Sequence, residues 1–158
     1  MGYCHHVYYT PAVPELRDAF PRLASDTRLI LARLAERGVA CAGPHGDGEA
    51  LLSETVIAFN GRDPEHCETF RLDAALDRRL FEDWIKTAGR PYDLAVMAVL
   101  LRAKQLVPAN VAIASDGAWD DEWVPALELV EELFGPAAFE ACPLEKNSTV
   151  LPEAARRT

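Results

Sequence analysis

The run Leu94-Ala95-Val96-Met97-Ala98-Val99-Leu100-Leu101 constrains this chain more than any other stretch, because it is eight apolar residues with no polar side. Pro91-Tyr92-Asp93 opens a helix that continues to about Leu106. A helix that is apolar all round has to be covered on every side, so the remaining elements must wrap it in layers. Eight residues fall far short of the roughly 20 needed to cross a bilayer. Val107-Pro108-Ala109 then gives a short connection to Asn110–Ser115, a small-residue strand. Helix and strand are about 21 Å and 20 Å long from their rises per residue, so a short link makes them antiparallel and matched.

The elements around this pair are mixed in type. Tyr3 to Thr10 alternates as a strand, closed by Pro11 and Pro14. Glu15–Leu23 reads as a short helix, and Ser25 or Asp26 caps a second helix to Arg37, stopped by Gly38. Val39–Ala42 is a short buried strand followed by the turn-rich loop Gly43–Gly48. Leu51–Asn60 and Cys67–Leu72 form an antiparallel pair across Gly61-Arg62-Asp63-Pro64. Asp73 caps a helix carrying Leu76, Leu80 and Trp84 to about Gly89, and a last helix spans about Glu122–Phe134. The expectation is a single α+β domain over residues 1–140. It has a four- or five-stranded mixed sheet with a central antiparallel hairpin, packed against four or five helices. Residues 141–158, polar and without periodicity, read as an extended or loose tail.

Charge narrows the function. The chain carries −9, and between Gln105 and Glu145 lie nine acids with no Lys, Arg or His. A long one-signed segment repels nucleic acid and anionic membrane, so neither is expected as a partner. Cys4, Cys41, Cys67 and Cys142 are scattered without a C-x-x-C pair, as buried thiols are in a cytoplasmic protein, the expected location.

The helix–strand pairing brings distant residues to one rim. It places Lys86, Thr87, Arg90, Tyr92 and Asp93 beside Ser115, Asp116, Trp119, Asp120 and Asp121. A helix N-terminus with Lys86 and Arg90 suits a small anionic ligand. Asp116 with Asp120 or Asp121 offers oxygens to a divalent metal, and Tyr92 and Trp119 an aromatic wall. Each feature also has a plain reading: Asp116-Gly117 is a common turn dipeptide, and first helical turns favour acids. If Val39–Ala42 runs parallel to Asn110–Ser115, His45 and Asp47 join the same rim as base and ligand; if antiparallel, they lie elsewhere. His66 and Cys67, adjacent at a strand entry, point to opposite faces and make a weak nucleophile–base pair.

The opening Gly2-Tyr3-Cys4-His5-His6-Val7-Tyr8-Tyr9 looks the most reactive. Period-two geometry puts His5 with Val7 and Tyr9, and Cys4 and His6 with Tyr8, so only Cys4 and His6 can act together. A closed zinc site needs about two more ligands, and no characteristic spacing supplies them. Two functions remain as expectations. One is a non-catalytic binding or protein-interaction module, in which the stripe Trp123, Leu127, Val130 and Phe134 offers a surface for a protein partner or self-association. The other is a metal-assisted hydrolase or transferase acting on a phosphorylated substrate at Lys86, Arg90 and Asp116.

Overall fold

The apolar run becomes the central helix of a computed structural model that describes residues 3–136, 139, 141–146 and 151–156. α1 spans Pro14–Glu36, α2 Asp93–Leu106 and α3 Val124–Phe134. From Ala95 to Leu101 no residue of α2 is more than 4% exposed. At roughly 1.5–3 kcal/mol for each large aliphatic side chain buried, this helix anchors the core.

Two antiparallel sheets surround it, in place of the single mixed sheet expected. In the first, β1 (Cys4–Tyr9) lies between β6 (Phe81–Lys86) and β7 (Val111–Ser115). In the second, β4 (Val56–Gly61) pairs with β2 (Cys41–Ala42), β3 (Leu51–Leu52) and β5 (Phe70–Asp73). The mixed α+β character and the central β4–β5 hairpin are as expected. Leu51–Asn60 is not one strand, because Ser53 Oγ accepts from the backbone N–H of Val56 at 3.0 Å and folds the chain back on itself.

Three helices longer than one turn stand among the described residues, where four or five were expected; Glu153–Arg156 adds a single turn, α4. Two differences account for this. Glu15–Leu23 and the helix to Arg37 are one 23-residue helix that carries Pro21 inside it. An internal proline costs about 3 kcal/mol, but Leu16, Phe20, Leu23, Thr27, Ile30 and Leu34 form one buried stripe through it, and packing holds the helix together. Asp26 is accordingly no cap: its carboxylate is buried and accepts from Arg102 of α2 at 2.8 Å and from Arg22 at 3.2 Å. The helix expected from Asp73 to Gly89 is also absent. Phe81, Asp83 and Ile85 alternate with exposed Glu82, Trp84 and Lys86, and β1 recruits them as a third strand. That pairing outweighs the helical spacing of Leu76, Leu80 and Trp84.

One face of the first sheet closes the core. Val7, Tyr9 and Val111 meet Leu16, Phe20 and Leu23 of α1 and Leu100 and Ala103 of α2. The stripe on α3 is also core: Trp123 and Val130 are fully buried, and the Arg102 guanidinium lies 4.2 Å above the Phe134 ring. Beyond α3, Leu144 forms a parallel bridge with Ile113 of β7, and Glu145 N–H donates to the Ile113 carbonyl at 2.7 Å. Arg79 donates to the carbonyl of Ala155, and Pro152 is buried. Among the described residues no helix is long and apolar enough to cross a membrane.

Candidate functional site

The start of α2 and the end of β7 meet at one edge, joined by a residue of β1. His5 is fully buried on the core face, with its Nδ1 2.8 Å from Ser115 Oγ and its Nε2 2.6 Å from Asp93 Oδ1. Thr87 Oγ1 donates to the same Asp93 oxygen at 2.6 Å. Trp123 Nε1 and the Gly117 N–H donate to Ser115 Oγ at 3.0 and 2.9 Å. These partners assign every proton. A carboxylate only accepts, so Nε2 carries the imidazole proton; Nδ1 then accepts from the Ser115 hydroxyl.

A Ser–His–Asp chain is the raw material of nucleophilic catalysis. Here both lone pairs of Ser115 Oγ are taken by donors, and the imidazole has no exposed surface. The network is a buried, saturated pin that ties β1, β7, α2 and the approach to α3. Its tightness explains Gly117: a Cβ there would stand 2.3 Å from the Tyr3 hydroxyl and 3.2 Å from Trp123 Nε1. Burial, then the charges of Asp93 and Glu122, hold the Tyr3 phenol above its usual range.

The other expected rim residues scatter around this pin. Lys86 is the cross-strand neighbour of Cys4, whose backbone N–H donates to Asp116 Oδ2 at 2.9 Å, so Lys86 and Asp116 flank one residue. Arg90 pairs instead with Glu65 at 3.4 Å. Tyr92 is fully buried and donates to the Glu68 carbonyl at 2.6 Å. Trp119 packs against Trp123 and Phe139, while Asp120 and Asp121 are exposed in the turn before α3. His45 and Asp47 follow β2, which belongs to the second sheet and runs antiparallel to β4. Both are exposed, and their loop is tied to the 62–66 turn through the Asp63 N–H on the Gly46 carbonyl. No hydrogen bond or ion pair among the described residues links them to Asp116. His66 pairs with Asp63, away from Cys67. Among the described residues no group of three or more His, Cys, Asp or Glu side chains is placed to hold a metal ion.

The outer face of the first sheet holds what the rim does not. Antiparallel register stacks three rows there: Lys86, Cys4 and Asp116; Trp84, His6 and Ala114; Glu82, Tyr8 and Ala112. Cys4, His6, Trp84, Ala114 and Asp116 line a cleft of about 240 Å³, bordered also by Glu145 and Lys146 of the segment beside β7. The His6 ring stacks on Trp84 with centroids 3.8 Å apart and lies 4.2 Å from Tyr8. His6 is only 3% exposed, yet neither ring nitrogen has a hydrogen-bond partner; the nearest acid, Glu82, stops 3.5 Å from Nε2. Desolvation lowers the His6 pKa against the opposing pull of Glu82, which favours the neutral ring. Burial, Asp116 and Glu68 together raise the Cys4 pKa despite Lys86, which keeps the thiol protonated.

The sequence pattern pairs Cys4 with His6 but gives no sign of Trp84 beside them, because that neighbour comes from a strand almost 80 residues away. The role of His5 was also missed, although a histidine on the face of Val7 and Tyr9 is a signal: buried imidazoles need partners. Comparison with protein-family models, with curated proteins and with solved structures finds no match.

Proposed function

We propose that this protein is a non-catalytic binding module whose ligand enters the cleft on the outer face of the β6–β1–β7 sheet. The observation that carries the reading is His6: a side chain almost wholly buried and lining an open cleft, with no partner at Nδ1 and only the Glu82 carboxylate, 3.5 Å away, at Nε2. A buried polar group without a partner costs about 1–3 kcal/mol, which a ligand recovers when it supplies the missing bond. Exposed Trp84, its indole already laid flat on His6, adds a rigid aromatic wall beside that group. Two observations argue against chemistry at either end of β1: the Ser115 oxygen is saturated, and the Cys4 thiol is held protonated.

The test is an amide chemical-shift titration with small probes of different character: benzamidine, benzoate, benzyl alcohol and inorganic phosphate with Mg²⁺. Saturable shifts clustered at Cys4, His6, Trp84 and Ala114 with at least one aromatic probe support the cleft. If no aromatic probe moves that cluster, the reading fails. Phosphate with Mg²⁺ moving Lys86, Arg90 and Asp116 in their place returns the metal-assisted hydrolase.

A further inference from the structure

β6 is an outermost strand of its sheet, with β1 as its one strand partner among the described residues. The Thr87 N–H donates to the Tyr3 carbonyl at 3.1 Å, and antiparallel pairs alternate between bonded and open. With Cys4 opposite Lys86, the backbone groups of Phe81, Asp83 and Ile85 therefore go to β1, and those of Glu82, Trp84 and Lys86 face away from the sheet. Lys86 is answered: its carbonyl accepts the Glu68 N–H at 3.1 Å, and its own N–H donates to Glu68 Oε2 at 2.8 Å. The Trp84 N–H turns to the carboxyl of its neighbour Asp83. The N–H and carbonyl of Glu82 and the carbonyl of Trp84 have no partner among the described residues, and both side chains are exposed. An open edge of this kind is a template for another strand.

The charges choose the occupant. Glu82, on the outer face, meets only His6, at 3.5 Å, and Asp83, on the inner face, forms no ion pair among the described residues; the charge that bears on it is Glu68, another acid. Arg71 lines the pocket of about 120 Å³ beside Asp83, but its guanidinium is held by Asp73 at 3.3 Å. Arg78, over the Phe81 ring, and Lys86 stand only at the ends of the stretch. A second copy paired across a twofold axis here sets Glu82 against Glu82 or Asp83 against Asp83, and the register that matches Glu82 with Lys86 is closed by Glu68. A basic strand turns the same acids into contacts. Adjacent residues of an added strand face opposite sides, so two consecutive bases reach Asp83 and Glu82, and the residue before them lies beside the exposed indole of Trp84.

We propose that the open edge of β6 at Glu82 and Trp84 takes an extended basic segment of a partner protein as an added antiparallel strand, with an apolar residue against Trp84 and two consecutive Lys or Arg residues against Asp83 and Glu82. This is the edge of the sheet and not the cleft on its face, so neither reading needs the other.

An amide-shift titration with three capped peptides tests it: Thr-Val-Arg-Lys-Thr, its acidic counterpart Thr-Val-Glu-Glu-Thr, and the basic peptide N-methylated at Val and Lys, which removes the two N–H groups offered to the edge carbonyls. The basic peptide should shift Glu82 and Trp84 saturably and bind about fivefold more tightly than the acidic one, or better. N-methylation should weaken it about tenfold. Asp83→Asn and Glu82→Gln, which keep the edge and remove one charge, should each weaken it about threefold. In Glu82→Pro the lost N–H points away from β1, so the sheet stays paired while the added strand is blocked, and binding should vanish. Circular dichroism confirms that each variant folds, and the N-methylated peptide puts the same question to the unchanged protein. Acidic and basic peptides binding alike, no effect of N-methylation, no saturable binding, or shifts confined to Cys4 and Ala114 overturns the added strand. So does self-association of the free protein that Glu82→Pro abolishes, which gives the edge to a second copy.

Discussion

Ser115→Ala separates a structural pin from a nucleophile. The substitution removes one hydroxyl and strands three groups: Trp123 Nε1, the Gly117 N–H and His5 Nδ1. Trp123 and His5 are fully buried, so water cannot replace the lost bonds without the site opening. At about 1 kcal/mol for each orphaned group, the expected loss is about 3 kcal/mol. For a chain of this length that lowers the melting temperature by roughly 6–12 °C. Urea unfolding followed by tryptophan fluorescence and by far-UV circular dichroism measures it, as a fall in midpoint with unchanged slope. Thr87→Val, which removes one donor to Asp93 and leaves His5 bonded, should cost only about 1 kcal/mol. A Ser115→Ala protein within 0.5 kcal/mol of the parent would refute the pin. So would loss of a measurable esterase activity toward p-nitrophenyl acetate with stability intact, since that is the signature of a nucleophile.

Three further outcomes follow from individual residues. Burial, with a push from Glu68, raises the Asp83 carboxyl from 3.8 to about 6, so the folded state holds a proton there that the unfolded chain has released. Its contribution is full below pH 3.8 and lost as pH rises through 6; Asp83→Asn should therefore gain about 1–2 kcal/mol at pH 7 and nothing at pH 3.5, measured against the parent at each pH. Gly117→Ala should lose about 1–3 kcal/mol by overpacking against the Tyr3 hydroxyl, and Tyr3→Phe should restore part of that loss in the double variant, a coupling read from the four unfolding curves. Alkylation with iodoacetamide at pH 8, followed by peptide mass spectrometry, should label exposed Cys142 first. Cys41, half-buried with its thiol pushed up to about 12, should react last; equal rates would contradict the burial.

How much of this was legible in the sequence depended on the range of the interactions. The apolar run of α2 announces its own burial, and its short link to β7 brings Asp93 and Ser115 to one edge by arithmetic on helix and strand rises. The β4–β5 hairpin is equally local. Phe81–Lys86 was illegible because its spacing fits a helix as well as a strand, and only β1, far away in the chain, decides between them. Asp26 misled for the same reason. At a helix start it looks like a cap, and nothing nearby says that Arg102 reaches it from another helix. His45 stayed undecided because its place turned on strand direction, and β2 proved to belong to another sheet altogether.

The adjacent histidines show how one local rule led to both the stability and the site. Period two sends His5 inward and His6 outward, and that much is legible in the sequence. The consequence is a difference of hydrogen-bond saturation between two neighbouring imidazoles. His5 finds Ser115 and Asp93 waiting at the ends of β7 and α2, and every atom in its network is answered. His6 finds aromatic faces, Trp84 and Tyr8, with Glu82 no nearer than 3.5 Å to Nε2, and its Nδ1 has no partner. Both rings are buried, so burial alone does not tell the two histidines apart; hydrogen-bond satisfaction does. Phe at position 6 would keep the stacking on Trp84 and Tyr8 and carry no unpaired nitrogen. Histidine at that position costs folding energy for as long as its Nδ1 stays unanswered.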